Sequence, residues 1–264
     1  MNTDILLIEH KDGVATLTLN RPKALNALDH DLLGALAEAA GRVEADESVR
    51  CVVLRGTGDH FAAGGDVKMF YDLRGAPSAE RQAKLETLVH GAHMAFRRFR
   101  RMPKPVISSV RGAAVGGGLG LALAADMLIA AESAYFCFGY SGIGVSPDCA
   151  TSFHLPRIVG PRKALAMAYT NERVGAAEAK AIGLVWKVVP DAALDAETEA
   201  LARKIAAGPT RAFAATKRLM TDMAQFEAQI DAEAASFGAC AATLDFVEGV
   251  SAFTEKRPAR FIGK

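Results

Sequence analysis

Two glycine-rich segments and one isolated aspartate are the parts of this sequence best suited to chemistry. His60-Phe61-Ala62-Ala63-Gly64-Gly65-Asp66 follows the apolar run Cys51–Leu54, and Gly112-Ala113-Ala114-Val115-Gly116-Gly117-Gly118-Leu119-Gly120 follows Val106–Val110. Small residues expose main-chain N–H groups and let a ligand approach closely. The second segment opens a helix running toward Ala125, so its N–H groups face outward at the positive end of a helix dipole, where an oxyanion is stabilised. Each loop alone reads as a structural turn. Two of them after two neighbouring strands supply the converging donors that an oxyanion hole needs.

The aspartate is Asp148, in Gly144-Val145-Ser146-Pro147-Asp148-Cys149-Ala150-Thr151-Ser152. Ser146 can cap a helix, Pro147 suits its first position, and Asp148 follows. On spacing alone Asp148 complements that helix terminus; beside an oxyanion site the same carboxylate is an acid/base or a nucleophile.

Rival motifs fail. The GGGLG run has the wrong spacing for a dinucleotide fingerprint. No GxxxxGK[ST] loop is present. Gly139-Tyr140-Ser141-Gly142-Ile143 misses the nucleophile elbow, because Ile143 stands where glycine is required. Glu86, His90 and His93 have spacing that could share a helix face, but they read better as polar positions of an amphipathic helix than as a metal site. Arg97, Arg98, Arg100 and Arg101 end the same helix and complement its dipole.

These groups must be positioned by alternating strands and helices. Val14–Asn20 alternates like a half-buried strand. Cys51–Leu54, Val106–Val110, Met127–Ala130, Tyr135–Phe138 and Leu184–Val189 fit strands covered on both faces by helices. Asp29–Glu44 is a predicted helix capped by Asp29, with Leu32, Leu33, Leu36, Ala40 and Val43 on one face. Ser78–Arg101 is a longer one, with a stripe of Leu85, Leu88, Val89, Ala92, Phe96 and Phe99. Near residue 190 the chain turns Ala-rich, with helices predicted over 192–207, 209–221, 225–242 and 245–256. The expected organisation is an α/β core over 1–190 and a helical region over 191–264.

The 264 residues are 50% hydrophobic and 23% charged, with 31 basic against 30 acidic side chains. Such composition is globular, and the balance argues against electrostatic capture of nucleic acid or anionic lipid. Residues 1–13 have no basic start followed by a long apolar run, so no secretory leader is expected. The apolar stretch 112–131 is broken by glycines and Asp126, which suits buried core and not a membrane span. Cys51, Cys137, Cys149 and Cys240 form no CxxC pair and suit a reducing, cytoplasmic setting.

Taken together, these segments resemble the crotonase (enoyl-CoA hydratase/isomerase) superfamily. The resemblance begins at Asn20-Arg21-Pro22-Lys23-Ala24-Leu25-Asn26-Ala27-Leu28 and runs through Phe61–Asp66, Gly112–Asp126, Leu155–Gly160 and Ala176–Val189 to Glu248–Arg257. It implies a spiral of ββα units forming two roughly perpendicular sheets, with a C-terminal helical region that builds a trimer or a dimer of trimers. It implies an acyl-CoA substrate, with coenzyme A entering as part of the thioester and no separate cofactor or metal. The oxyanion N–H groups fall on Ala63 and Gly117. The substrate-contacting positions fall on Lys23, Ala24, Leu25, Ala62, Ala63, Gly64, Gly65, Asp66, Gly116, Gly117, Phe253 and Lys256.

Departures from the family pattern bear on the reaction. Typical hydratases use two glutamates; here the first position is Gly120, and the region of Gly142 lacks an acid. The remaining Asp148 resembles the single acid of enoyl-CoA and ring-epoxide phenylacetyl-CoA isomerases, which implies double-bond isomerisation with Asp148 as acid/base. The same segments also resemble 4-chlorobenzoyl-CoA dehalogenases. There Asp148 would be a nucleophile, His93 a catalytic histidine, and Tyr140 would stand in for an indole donor. Hydrolysis, hydration and acyl-CoA binding without turnover are the other readings.

Overall fold

The computed structural model describes residues 4–264. Its six-stranded sheet has the order β1 (Leu6–Lys11), β2 (Val14–Leu19), β3 (Cys51–Gly56), β5 (Val106–Val110), β7 (Met127–Ala131), β10 (Lys187–Val189). A four-stranded sheet has the order β4 (Ala62–Ala63), β6 (Ala113–Val115), β8 (Tyr135–Cys137), β9 (Val174–Gly175). The helices are α1 (His30–Ala45), α2 (Val67–Asp72), α3 (Ser78–Arg101), α4 (Gly117–Ala124), α5 (Thr151–Val159), α6 (Pro161–Thr170), α7 (Ala176–Ala181), α8 (Leu194–Ala206), α9 (Thr210–Leu219), α10 (Met223–Ala241) and α11 (Leu244–Thr254).

The two sheets are threaded together. β3, β5 and β7 lie in the large sheet, and each is followed by a strand of the small one: β4, β6 and β8. Each such pair then leads into helix, so the chain repeats a ββα unit that its amino acids do not repeat. Pairing is parallel from β2 to β10 in the large sheet and from β4 to β8 in the small one. The exception at the start is the antiparallel β1–β2 hairpin. It turns on Asp12-Gly13, both at positive φ, the backbone that a tight two-residue hairpin demands.

Successive strand residues point to opposite faces, and each face has its own cover. Leu17, Val52, Leu54 and Val106 join the core beneath α1 and α3. Val14, Cys51, Val53 and Ile107 face the other way, against Leu194, Ala202 and Ala206 of α8. Asp29 caps α1 by accepting the Leu32 N–H at 2.9 Å.

Four features differ from the sequence reading. The strand predicted over Leu184–Val189 is only Lys187–Val189, because Leu184 and Val185 turn into the core. Ser146 and Pro147 do not start a helix; α5 begins at Thr151 after two residues in left-handed backbone, Cys149 and Ala150. The four arginines ending α3 do more than complement its dipole: Arg98 pairs with Glu44 of α1, Arg100 with Asp126, and the other two with α10. Arg97 pairs with Glu227 at 2.7 Å and Asp231 at 2.6 Å, and Arg101 with Glu227 at 2.7 Å. The segment 191–264 also lies on the α/β body: α10 packs along α3 and buries Phe237 in the main core. Among the described residues no helix is long and apolar enough to cross a membrane.

Candidate active site

The small sheet sets the site. Its parallel strands β4, β6 and β8 end together, and each hands on to a loop bordering one cavity of about 290 Å³. After β4 come Gly64 and Gly65. After β6 come Gly116 and Gly117. After β8 come Tyr140 and, further along, Asp148. The walls are apolar: Leu28, Leu33, Val67, Phe70, Leu88 and Phe237 are among them.

The two glycine turns touch. A methyl group on Gly116 would lie 3.6 Å from Gly64 Cα, and Gly116 adopts φ 53°, ψ −122°, a backbone that L-residues avoid. Behind them α4 is pressed onto β4, since a Cβ on Gly118 would come within 2.1 Å of the Ala62 carbonyl oxygen. The Gly117 N–H opens α4 and has no protein acceptor among the described residues.

The first loop corrects the expected donor. The Ala63 N–H donates to the Leu25 carbonyl at 3.0 Å, so it is not available to a ligand. Gly65, two residues on, also lines the cavity, and its N–H has no protein acceptor among the described residues. The loop is fixed on both sides: the Leu28 N–H donates to the Gly64 carbonyl at 2.9 Å, and Asp66 caps α2 through the Lys68 and Met69 N–H groups.

Asp148 lies across from Gly117. A methyl on Gly117 would sit 3.9 Å from Asp148 Oδ1 and 3.3 Å from Cys149 Sγ. Tyr140 Oη donates to the same Oδ1 at 2.8 Å. Burial pushes the Asp148 carboxyl up from its ordinary range; the Cys149 hydrogen bond, His93 and Tyr140 pull it down less, and Glu233 adds to the rise. The Tyr140 hydroxyl is raised well above its usual value, first by burial and then by the Asp148 charge, so it stays a donor. No other carboxylate among the described residues lines the cavity.

Gly120 is closed to a side chain. A Cβ there would come within 2.5 Å of the Cys149 carbonyl oxygen and 2.6 Å of Cys149 Cβ. The space that a glutamate would need is occupied by the turn carrying Asp148.

His93 is fully buried but does not line the cavity. Its Nε2 accepts the Cys149 N–H at 3.2 Å and lies 3.3 Å from Glu233 Oε2. It therefore supports the turn from behind, and the expected direct catalytic placement does not hold. Among the described residues no three His, Cys, Asp or Glu side chains converge as a metal site.

Glu233 is the group the sequence reading missed. Its carboxylate, 3% exposed as a residue, accepts the Ala150 N–H at 2.8 Å, the Ser152 N–H at 2.8 Å and the Ser152 hydroxyl at 2.6 Å. The signal was present: Glu233 stands on the stripe Phe226, Ile230, Phe237, where α10 is otherwise apolar.

Of the expected substrate-contacting residues, Leu25, Ala63, Gly64, Gly65, Gly116, Gly117 and Phe253 line the cavity. Lys23 and Ala24 stand outside it in the exposed turn before Leu25, and Lys256 is exposed beyond α11. Ala62 is buried in β4, and Asp66 is used as a helix cap. Arg173 also borders the cavity, over the Tyr135 ring at 4.6 Å from its centroid.

A family model described as enoyl-CoA hydratase/isomerase matches residues 9–264. The 1,2-epoxyphenylacetyl-CoA isomerase of Escherichia coli is 35% identical over 263 residues, covering 99% of both chains. A 4-chlorobenzoyl coenzyme A dehalogenase of Arthrobacter sp is 38% identical over 203 residues, covering 77% of this chain and 72% of that one. The crystal structure of an enoyl-CoA hydratase/isomerase from Xanthobacter autotrophicus superposes with TM-score 0.86 at 34% identity, over 99% of this chain and 100% of that one.

Proposed function

Because the chain belongs to the enoyl-CoA hydratase/isomerase family and acts on acyl-CoA, we propose that it moves a double bond along the acyl chain, with Asp148 as the single acid/base. One observation carries this reading. Two unengaged amides, Gly65 and Gly117, border the same cavity as one carboxylate, and a second catalytic carboxylate at Gly120 is sterically shut out.

The chemistry follows from the parts. A thioester carbonyl oxygen held by the Gly65 and Gly117 N–H groups gains negative charge when the adjacent carbon loses a proton. Donors already fixed in place stabilise that charge without reorganising, and one such donor is typically worth about 10²–10³ in rate. Asp148 takes the proton from the carbon next to the carbonyl and returns it two carbons further along. The same carboxyl serves both steps, so no water is consumed and mass is unchanged. A base needs a pKa nearer neutrality than an ordinary aspartate has, and burial moves Asp148 in that direction. A nucleophilic aspartate would be served by the opposite shift. Tyr140 donates to one oxygen of Asp148 and so holds the carboxyl in place beside Gly117.

The expected assembly into trimers belongs to this proposal: Phe253 borders the cavity yet is 61% exposed, as a residue shared across a subunit boundary would be in one chain alone. The test of the reaction is a panel of enoyl-, phenylacetyl-type and halobenzoyl-CoA thioesters followed by mass spectrometry. Isomerisation leaves the mass unchanged while the double bond moves. Gain of water or exchange of chlorine for hydroxyl overturns the reading.

A further inference from the structure

α6 ends at Asn171, which takes left-handed backbone at φ 53° and donates its N–H to the Met167 carbonyl at 3.0 Å. Asparagine is an ordinary residue for such a helix end. That accounts for its backbone and not for the course of its side chain. The side chain is half-buried, lies outside the cavity, and reaches the loop that follows β8. Its Oδ1 accepts the Gly139 N–H at 2.6 Å. A main-chain N–H can only donate, so the amide oxygen must be the atom that meets it. The amide nitrogen takes the other side, where a Cβ on Gly142 would come within 2.8 Å of it. Two further bonds bind the same loop to the end of α6. The Cys137 thiol donates to the Asn171 carbonyl at 3.3 Å, and the Ser141 hydroxyl to the Ala168 carbonyl at 2.7 Å.

The residue that Asn171 holds touches both halves of the site. Gly139, at φ 80°, is pressed against the second glycine turn: a Cβ on it would stand 2.9 Å from Val115 Cγ1 and 3.1 Å from the Gly116 nitrogen. The Gly116 N–H in turn donates to the Cys137 carbonyl at 3.2 Å. In the chain, Gly139 leads directly into Tyr140, whose hydroxyl donates to Asp148 Oδ1 at 2.8 Å. One side-chain amide therefore stands behind the turn that presents the Gly117 N–H and behind the phenol that holds the acid.

We propose that Asn171 is a positioning residue for the reaction: acting through Gly139, it sets the Tyr140–Asp148 pair and the Gly116–Gly117 turn at their working separation. The inference rests on the reading of Asp148 and Gly117 as base and oxyanion donor, and deepens it by naming what fixes one against the other. Asn171 reaches the reacting groups only through the loop, so its loss falls on the chemical step and spares binding. A misplacement of about 1 Å can cost about 10²-fold in rate.

Two substitutions at this position test the proposal. Asn171→Gly deletes the side chain where glycine suits the backbone, so the variant folds. Asn171→Asp keeps an acceptor for the Gly139 N–H. For each, kcat and KM are measured with a 3-enoyl-CoA, or with whichever thioester the wild type converts. Hydrogen exchange is followed by mass spectrometry over residues 135–143. Asn171→Gly is expected to lower kcat at least about tenfold with KM within about twofold, and to speed exchange in that segment. Asn171→Asp brings both back to within about threefold of wild type. Tyr140→Phe costs less in the Asn171→Gly background than in the wild type, because the phenol is already loosened there. An unchanged kcat or unchanged exchange in Asn171→Gly overturns the proposal. So does a loss that Asn171→Asp fails to restore, or one that simply multiplies with that of Tyr140→Phe. A wild type that leaves 3-enoyl-CoA untouched but converts another thioester overturns the isomerase reading alone, and one that converts none overturns both.

Discussion

Glu233 accepts the N–H of Ala150 at 2.8 Å and so ties α10 to the turn that presents Asp148. That turn is strained. Cys149 and Ala150 hold φ of 57° and 59°, and non-glycine residues in left-handed backbone cost roughly 1–2 kcal/mol each. Hydrogen bonds from Ala150 and Ser152 to Glu233, and from Cys149 to His93, offset that cost.

Replacing Glu233 tests the tie. Glu233→Ala leaves the buried Ala150 N–H and the half-buried Ser152 N–H and hydroxyl without their acceptor, so a loss of about 1–3 kcal/mol in urea unfolding is expected. Glu233→Gln keeps an acceptor and costs less. Because the Glu233 charge raises the Asp148 carboxyl, the Gln variant also moves the acid limb of kcat/KM to lower pH.

Asp148→Asn is expected to reduce isomerisation of a 3-enoyl-CoA by about 10²–10⁴-fold, the usual worth of general acid–base catalysis, with thioester binding retained. Its effect on stability has the opposite sign. The folded pKa of Asp148 is raised by burial, so its contribution to stability is full below the unfolded pKa, near 3.9, and is lost as pH rises through the folded pKa. The Asn variant therefore melts higher than wild type at neutral pH, and the gap closes as pH falls toward 4. Tyr140→Phe removes a hydrogen bond that lowers the same pKa, so the acid limb of its rate profile moves to higher pH.

Gly117 opens α4, where proline is compatible with the helix because no intrahelical acceptor awaits that N–H. Gly117→Pro should slow turnover by about 10²–10³-fold by deleting one oxyanion donor. Retained acyl-CoA binding with lost turnover is the expected pair of results; intact rates would remove Gly117 from the mechanism.

Restoring a hydratase-like acid at the first missing position should fail. In Gly120→Glu the new Cβ would stand 2.5 Å from the Cys149 carbonyl oxygen, and overpacking of this kind typically costs about 1–3 kcal/mol. The variant should melt lower than wild type and lose isomerisation, because the displaced turn carries Asp148, and it should gain no hydration.

What could be read from the sequence follows the range of the forces involved. Helices α1 and α3 were legible because their apolar stripes repeat every turn, and β3, β5 and β7 because they are short apolar runs. The strands of the small sheet were less so: β4 and β9 have two residues each, too few to show a period. The β1–β2 hairpin was missed, with only its second strand expected, although Asp12-Gly13 carried its signal. The glycine loops and Asp148 were visible by residue type. Which amide of the first loop is free was not, since that depends on the Leu25 carbonyl, 38 positions earlier in the chain. The role of Glu233 was hidden for the same reason, as its partners come from α5's entry turn.

The common finish of β4, β6 and β8 has a consequence for how such a protein can change over evolutionary time. The two amides and the carboxylate sit on three separate loops, each anchored in a different strand of one rigid sheet. An insertion or substitution after β8 re-aims the acid without disturbing the carbonyl cradle that β4 and β6 provide. On the proposed mechanism, thioester activation is thereby a fixed platform, while the reaction performed on it is a replaceable part.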